Sequence, residues 1–128
     1  MVSLIKTKNM KPHKTLDAWK LSFQFVKYTY KATALYPVEE KFGLVSQMRR
    51  AAVSIPVNIA EGAARKSKKE FLQFLYVAEG SLSELDTLIE LSVDLDFCTT
   101  ELAKNLLSSL ENISKRIFGL IKKLESEL

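Results

Sequence analysis

Residues Ser67–Leu95 run SKKEFLQFLYVAEGSLSELDTLIELSVDL, and the spacing within this stretch decides the fold. Ser67-Lys68-Lys69-Glu70 has the Ser-x-x-Glu form of a capping box, in which each side chain satisfies the other residue's free backbone N–H, and an apolar run follows at once. Phe71, Leu75, Ala78, Leu82, Leu85, Ile89 and Val93 then recur three and four apart, which is one face of an α-helix. Phe74, Val77, Leu88, Leu91 and Leu95 make a second stripe beside the first. That apolar face is wider than one bundle core requires, so part of this helix is expected to lie against another subunit.

Toward the C-terminus, Asp96-Phe97-Cys98 reads as a turn, and Thr99 or Thr100 caps a fourth helix. Its stripe is Leu102, Leu106, Leu110, Ile113, Ile117, Leu120, Leu124 and Leu128, with Lys122 and Lys123 near the end where cations favour the helix dipole. Toward the N-terminus, a helix beginning near Leu44 carries Leu44, Met48, Ala52, Ile55, Ile59 and Ala63. Pro56 falls inside it, removing a backbone hydrogen bond and crowding the preceding turn. A kink or break around Ala52 to Pro56 is expected, and a kinked helix is the reading adopted. The first helix starts at Thr15, an N-cap residue, with Asp17 in its first turn. It turns Leu16, Trp19, Phe23, Val26, Tyr30 and Ala34 inward before Pro37 stops it. Four helices joined by short connectors, with no strand-period segment, predict an all-α, up-down-up-down antiparallel four-helix bundle over residues 15–128. Residues 1–14, with Lys6, Lys8, Lys11 and Lys14, form a basic flexible arm.

The 128 residues are about one domain in length, and an apolar share of 47% with 27% charged residues fits a globular chain. A single cysteine, Cys98, excludes an intrachain disulfide and a multi-cysteine zinc site. No stretch approaches the roughly 18 apolar residues needed to span a bilayer, and residues 1–14 lack the apolar core of a signal peptide. A cytoplasmic protein with no membrane partner is expected. The net charge of +4 conceals a strong polarity along the chain. Residues 1–69 hold 14 Lys+Arg against 4 Asp+Glu, net +10, whereas residues 70–103 hold none against 8, net −8.

Catalytic chemistry finds little to work with. The only histidine, His13, lies in the arm, so neither the Glu-x-x-His pairs of a bundle metal site nor a Ser/His or Cys/His nucleophile pair is available on the helices. Cys98 sits in a loop whose acidic neighbours raise its pKa, and it reads as a small apolar filler. Gly43, Gly62, Gly80 and Gly119 are isolated, which leaves no glycine-rich phosphate loop. No enzyme, metal or cofactor is expected. An enzyme without histidine would have to use Arg50, Asn58 and Glu61, and a deep pocket lined by these three would mark it.

Two surface features carry the functional expectations. Gln47, Arg50, Ser54, Asn58, Glu61 and Arg65 recur three or four apart along the second helix. They form either a solvated face with a Glu61–Arg65 ion pair, or a stripe in which Ser54, Asn58 and Glu61 hydrogen-bond across a subunit seam or to a ligand. Small residues crowd beside it, and Ala78, Gly80 and Ser81 answer them on the third helix. A mid-helix glycine costs about 1 kcal/mol relative to alanine, so close helix approach is the simplest reason for Gly80. Gln47, Ser54, Asn58, Glu61, Gly80 and Ser81 are the candidates for a polar seam or oligomer interface. The second feature is basic: Arg65, Lys66, Lys68 and Lys69, joined by Arg49, Arg50 and the N-terminal lysines, form either a phosphate-binding surface or a solvated charge run. No interleaved aromatic stacking platform accompanies it.

The run from Gln47 through Arg49-Arg50-Ala51-Ala52-Val53-Ser54-Ile55-Pro56-Val57-Asn58-Ile59-Ala60-Glu61-Gly62 resembles the signature of the bacterial four-helix-bundle proteins encoded in 23S rRNA intervening sequences. Arg65, Ser67, Glu70, Phe74-Leu75, Ala78, Gly80-Ser81 and Glu84-Leu85 continue the resemblance. Leu16-Asp17-Ala18-Trp19 and Tyr36-Pro37 match the family's opening helix, and the likeness spans about residues 12 to 128. It implies a bundle that assembles as a homopentameric ring, with distant kinship to the accessory variability protein of diversity-generating retroelements, a basic pentamer that binds nucleic acid and partners a reverse transcriptase. A nucleic-acid role here is an analogy from fold and relatives. The lysine-free acidic stretch of helix three departs from it, and any binding face must exclude that stretch. Two functions are expected in consequence. One is a non-enzymatic oligomeric module with RNA or DNA affinity through Arg49, Arg50, Arg65, Lys66, Lys68 and Lys69. The other is a protein-interaction scaffold in which the basic end of helix two docks on the acidic helix three of the next copy, a head-to-tail contact that closes rings. The partners are then copies of the chain itself, RNA or DNA, or another protein.

Overall fold

A computed structural model describes residues 11–128; residues 1–10, most of the basic arm, lie outside the described residues. Four helices follow a 3₁₀ turn at Pro12–Thr15: α1 (Asp17–Thr33), α2 (Leu44–Ala63), α3 (Lys68–Asp94) and α4 (Thr100–Ser126). No strand occurs among the described residues. Each helix packs on its two neighbours in the cycle α1–α2–α3–α4–α1, and the backbones of the diagonal pairs do not approach one another. Contacts such as Ser54 with Ser81, Thr33 with Arg49, Tyr76 with Glu125 and Asp17 with Arg116 set every neighbouring pair antiparallel. The architecture is the expected up-down-up-down bundle.

Most residues of the main stripes of α2, α3 and α4 point inward, with Met48, Ile55, Ile59, Leu75, Leu85, Ile89, Ile113 and Ile117 fully buried, whereas Leu128 at the end of the α4 stripe is exposed. Ser67 caps α3 by accepting from the Glu70 amide at 3.1 Å, while its hydroxyl donates to the Glu70 carboxylate at 3.0 Å. Thr99 caps α4 by accepting from the Leu102 amide at 3.2 Å. The turn between them is closed by Asp96, whose φ of 61° is the left-handed conformation that terminates a helix, and by the Phe97 amide, which donates to the Ser92 carbonyl at 2.9 Å. α2 runs through Pro56 as one continuous element, so no break occurs between Ala52 and Pro56.

Helix α1 differs from its expected orientation. Its buried residues are Ala18, Ser22, Phe25, Thr29, Ala32 and Thr33, followed by Tyr36, whereas Phe23, Tyr30 and Ala34 are exposed. The hydroxyls explain the choice. Ser22 donates to the Trp19 carbonyl, Thr29 to Phe25 and Thr33 to Thr29, at 3.0, 2.9 and 2.7 Å, so these side chains enter the core already satisfied by their own helix. The larger apolar residues are displaced one position round the helix, onto its flank. Thr15 is not the cap of α1 either: its hydroxyl donates to the Pro12 carbonyl within the 3₁₀ turn, and α1 begins at Asp17 without a side-chain cap.

The glycines also trade roles. A Cβ on Gly80 would meet nothing within 4 Å, so Gly80 makes no close helix approach inside the chain. A Cβ on Gly62 would lie 2.7 Å from Phe71 Cδ1 and 2.8 Å from Phe74 Cβ, which makes Gly62 the residue that lets α2 and α3 converge before their turn.

Candidate nucleic-acid interface

The antiparallel folding converts the polarity of the chain into a polarity of the molecule. Arg65, Lys66, Lys68 and Lys69 occupy the α2–α3 turn and the start of α3, and all four are exposed. The same end holds Lys11 and Lys14 of the 3₁₀ turn, which packs on α2, and Lys122 and Lys123 near the C-terminus of α4. His13 stands edge-on to Trp19 at 5.0 Å, and burial, followed by Lys14 and Lys11, holds its imidazole below the ordinary histidine range. Lys68 pairs with Glu127 at 3.1 Å; the other ion pairs among the described residues, Lys115–Glu111 and Arg116–Asp17, involve none of the four cations. Arg65 makes no pair with Glu61 and instead lies 4.8 Å over the Phe74 ring. At the opposite end gather Glu39, Glu40, Glu90, Asp94, Asp96 and Glu101.

Arg49 and Arg50 are not part of the basic end. From Arg50 to the end of α2 at Ala63 is thirteen helical steps, about 20 Å along the axis at roughly 1.5 Å per residue, and Arg65 lies beyond that end. Arg49 is half-buried against α1, its Nε donating to Thr33 Oγ1 at 2.9 Å and its Nη2 to the Tyr30 carbonyl at 3.3 Å, with the guanidinium 4.4 Å over the Tyr30 ring. A cation beside the last carbonyls of α1 suits the negative end of that helix. Arg49 and Arg50 line a hollow of about 510 Å³ together with Tyr30, Lys41, Phe42 and Ser46. Sequence spacing could not show this grouping, because Tyr30 arrives from another helix and Phe42 from the connector.

The stripe on α2 forms a seam within the chain. Ser54 and Ser81 hydroxyls meet at 2.9 Å across α2 and α3, and Asn58 Nδ2 donates to the Ser54 carbonyl at 2.7 Å and to its hydroxyl at 3.0 Å. Ser81 is buried and Asn58 half-buried, whereas Gln47, Glu61 and Gly80 are exposed and take no part. Arg50, Asn58 and Glu61 do not share a pocket: the hollow beside Arg50 contains neither of the others. Cys98 is buried, and burial, rather than acidic neighbours, pushes its thiol up while Tyr36 partly opposes the shift. The Tyr36 hydroxyl, beside Ser92 and Cys98, is buried without a hydrogen bond of ordinary geometry, and desolvation pushes its pKa up to about 12. No group of three or more His, Cys, Asp or Glu side chains among the described residues is placed to hold a metal ion, and none of the described helices is long and apolar enough to cross a membrane.

The family model of the 23S rRNA-intervening sequence protein matches residues 14–119. The chain belongs to this family. A solved structure from Bacteroides thetaiotaomicron, a protein of unknown function from the S23 ribosomal protein family, superposes with a TM-score of 0.74 at 23% identity, covering 82% of this chain and 98% of that one. At that identity the likeness establishes the shared bundle. No curated protein matches the chain. The match runs from Lys14 to Gly119 in α4, and so takes in α1, α2, α3 and most of α4, with the seam, Arg49, Arg50 and Arg65 to Lys69 inside it.

Proposed function

We propose that the chain is a non-enzymatic, self-assembling four-helix bundle of the cytoplasm that associates with nucleic acid, RNA foremost, through the basic end of the bundle. The observation that carries the reading is the set of Arg65, Lys66, Lys68 and Lys69, four exposed cations within five residues, three of them without an ion pair among the described residues. A polyanion approaching that end meets Lys11, Lys14, Lys122 and Lys123 as well, and these eight cations outnumber the acidic side chains of the same end, Asp17, Glu61, Glu70, Glu125 and Glu127. Neutralising phosphates releases condensed counterions, so such binding depends steeply on salt. The test is filter retention of a structured RNA across a salt series. A steep log–log slope that becomes shallower in an Arg65→Ala, Lys66→Ala, Lys69→Ala variant supports the reading; no retention at low salt, or a flat slope, refutes it.

A second reading, a homo-oligomeric ring acting as a protein scaffold, is favoured by a different observation. Val77, Leu91 and Leu95 leave an apolar face on α3, and an apolar groove runs between Trp19, Phe23 and Val26 of α1 and Val53, Pro56 and Val57 of α2. Surfaces of this kind mark contacts between proteins. In a pentamer they would meet head to tail, and a monomeric mass by light scattering at micromolar concentration would eliminate the ring.

A further inference from the structure

We propose that the hollow between α1 and the start of α2, lined by Tyr30, Lys41, Phe42, Ser46, Arg49 and Arg50, is a binding site for an unpaired nucleotide, distinct from the basic end. The proposal rests on the nucleic-acid reading and adds to it a second contact of different chemistry. The hollow, at about 510 Å³, has the size of a small-ligand site. No acidic residue lines it, and Glu40, two residues from Phe42, turns its carboxylate onto the Leu44 amide at 3.2 Å. No residue of α3 lines it either, so the acidic helix does not face the ligand.

Two elements of the site are already in place. Arg49 is fixed by Thr33, by the Tyr30 carbonyl and by the Tyr30 ring, yet only two of the five N–H donors of its guanidinium are used. It has no carboxylate partner among the described residues, and neither do Arg50 and Lys41. A half-buried, pre-oriented guanidinium with donors to spare loses little freedom on binding a phosphate and presents the fork geometry that a phosphate fits. The second element is Phe42, 88% exposed on the α1–α2 connector, with the Lys41 ammonium 5.6 Å from its ring. A phenylalanine left in water forgoes the burial that ordinarily stabilises it, and an exposed ring at the edge of a hollow lined by Lys41, Arg49 and Arg50 is the arrangement on which bases of single strands stack. A base in a duplex keeps its faces against its neighbours and cannot use such a ring, so the site selects unpaired nucleotides.

The test compares a single-stranded oligonucleotide of about ten nucleotides with a duplex of the same length, since single-strand sites span roughly 4–16 nucleotides. Phe42→Ala is expected to weaken single-strand binding by about 5- to 100-fold, the value of one stacked base, and to leave duplex binding unchanged. Phe42→Trp is expected to restore the affinity, with indole fluorescence quenched on binding. Because Phe42 is exposed, neither variant should disturb the fold. Equal single-strand affinity of Phe42→Ala and wild type overturns the site, as does an equal loss for single strand and duplex. A change in particle mass on Phe42→Ala also overturns it, since the ring would then serve a subunit contact. If wild type retains neither nucleic acid at low salt, it is the underlying nucleic-acid reading that fails, a result distinct from retention that does not respond to Phe42.

Discussion

Replacing Gly62 by alanine puts a Cβ 2.7 Å from Phe71 Cδ1 and 2.8 Å from Phe74 Cβ, distances at which something must shift. The Phe71 ring can swing away, but Phe74 Cβ is attached to the backbone of α3, so relief there requires α3 itself to move from α2. Overpacking of this kind costs about 1–3 kcal/mol, against roughly 1 kcal/mol regained because alanine is the better helix former. With the rigid contact placing the cost in the upper part of that range, Gly62→Ala should lose about 1–2 kcal/mol, a fall in melting temperature of roughly 4–8 °C for a domain of this size. Gly80→Ala is the control, because a Cβ there meets nothing within 4 Å. It should gain about 0.5–1 kcal/mol from helix propensity alone. Urea and thermal unfolding of dilute protein, followed by circular dichroism, measure both. A Gly62→Ala variant that melts at or above wild type would refute the assignment of Gly62 as the point of closest approach between α2 and α3.

Other outcomes follow from the seam, the buried tyrosine and the cations. Ser54→Ala removes the partner of Ser81 and one acceptor of Asn58 and should cost about 1–2 kcal/mol; in a double-mutant cycle Ser54→Ala and Ser81→Ala should be coupled by at least about 0.5 kcal/mol, and strict additivity would show that the hydroxyls do not interact. Tyr36 has its folded pKa raised from 10.0 to about 12, so the protonated form is favoured in the fold, and that stability is complete below pH 10 and lost as the pH rises toward 12. Tyr36→Phe should flatten the alkaline loss of urea stability over that window, and, because the hydroxyl has no partner, should not destabilise the protein at neutral pH; an unchanged alkaline profile would contradict the shift. Each of Arg65, Lys66 and Lys69 that contacts a phosphate should lower the salt slope of RNA binding by roughly 0.7–0.9 when changed to alanine.

The helices were legible because three of them carry wide apolar stripes, and the capping residues Ser67 and Thr99 stand where the sequence places them. Helix α1 buries the face one position away from its aromatic stripe. Its aromatic stripe and its hydroxyl stripe are adjacent, and pattern alone favours burying Trp19, Phe23 and Tyr30. What decides for Ser22, Thr29 and Thr33 is hydrogen bonding to their own helix, which hydropathy does not register. The same displacement explains why the groove on α1 and α2 was not foreseen. Of the polar candidates Gln47, Ser54, Asn58, Glu61, Gly80 and Ser81, only Ser54, Asn58 and Ser81 join one another, and they do so within the chain. Sequence groups the cations by sign and not by distance. Only the antiparallel packing shows that Arg65 to Lys69 form an end of the molecule, while Arg49 and Arg50 belong to a separate hollow with two aromatic rings.

Amide hydrogen exchange with and without bound RNA tests whether nucleic acid meets the bundle at its basic end. Slowed exchange is expected at the α2–α3 turn around Arg65 to Glu70 and in the first turn of α3, with the acidic turn from Asp94 to Thr100 unchanged. Slowing confined to the turn from Asp94 to Thr100, or an exchange pattern that saturating RNA leaves unaltered, would contradict it.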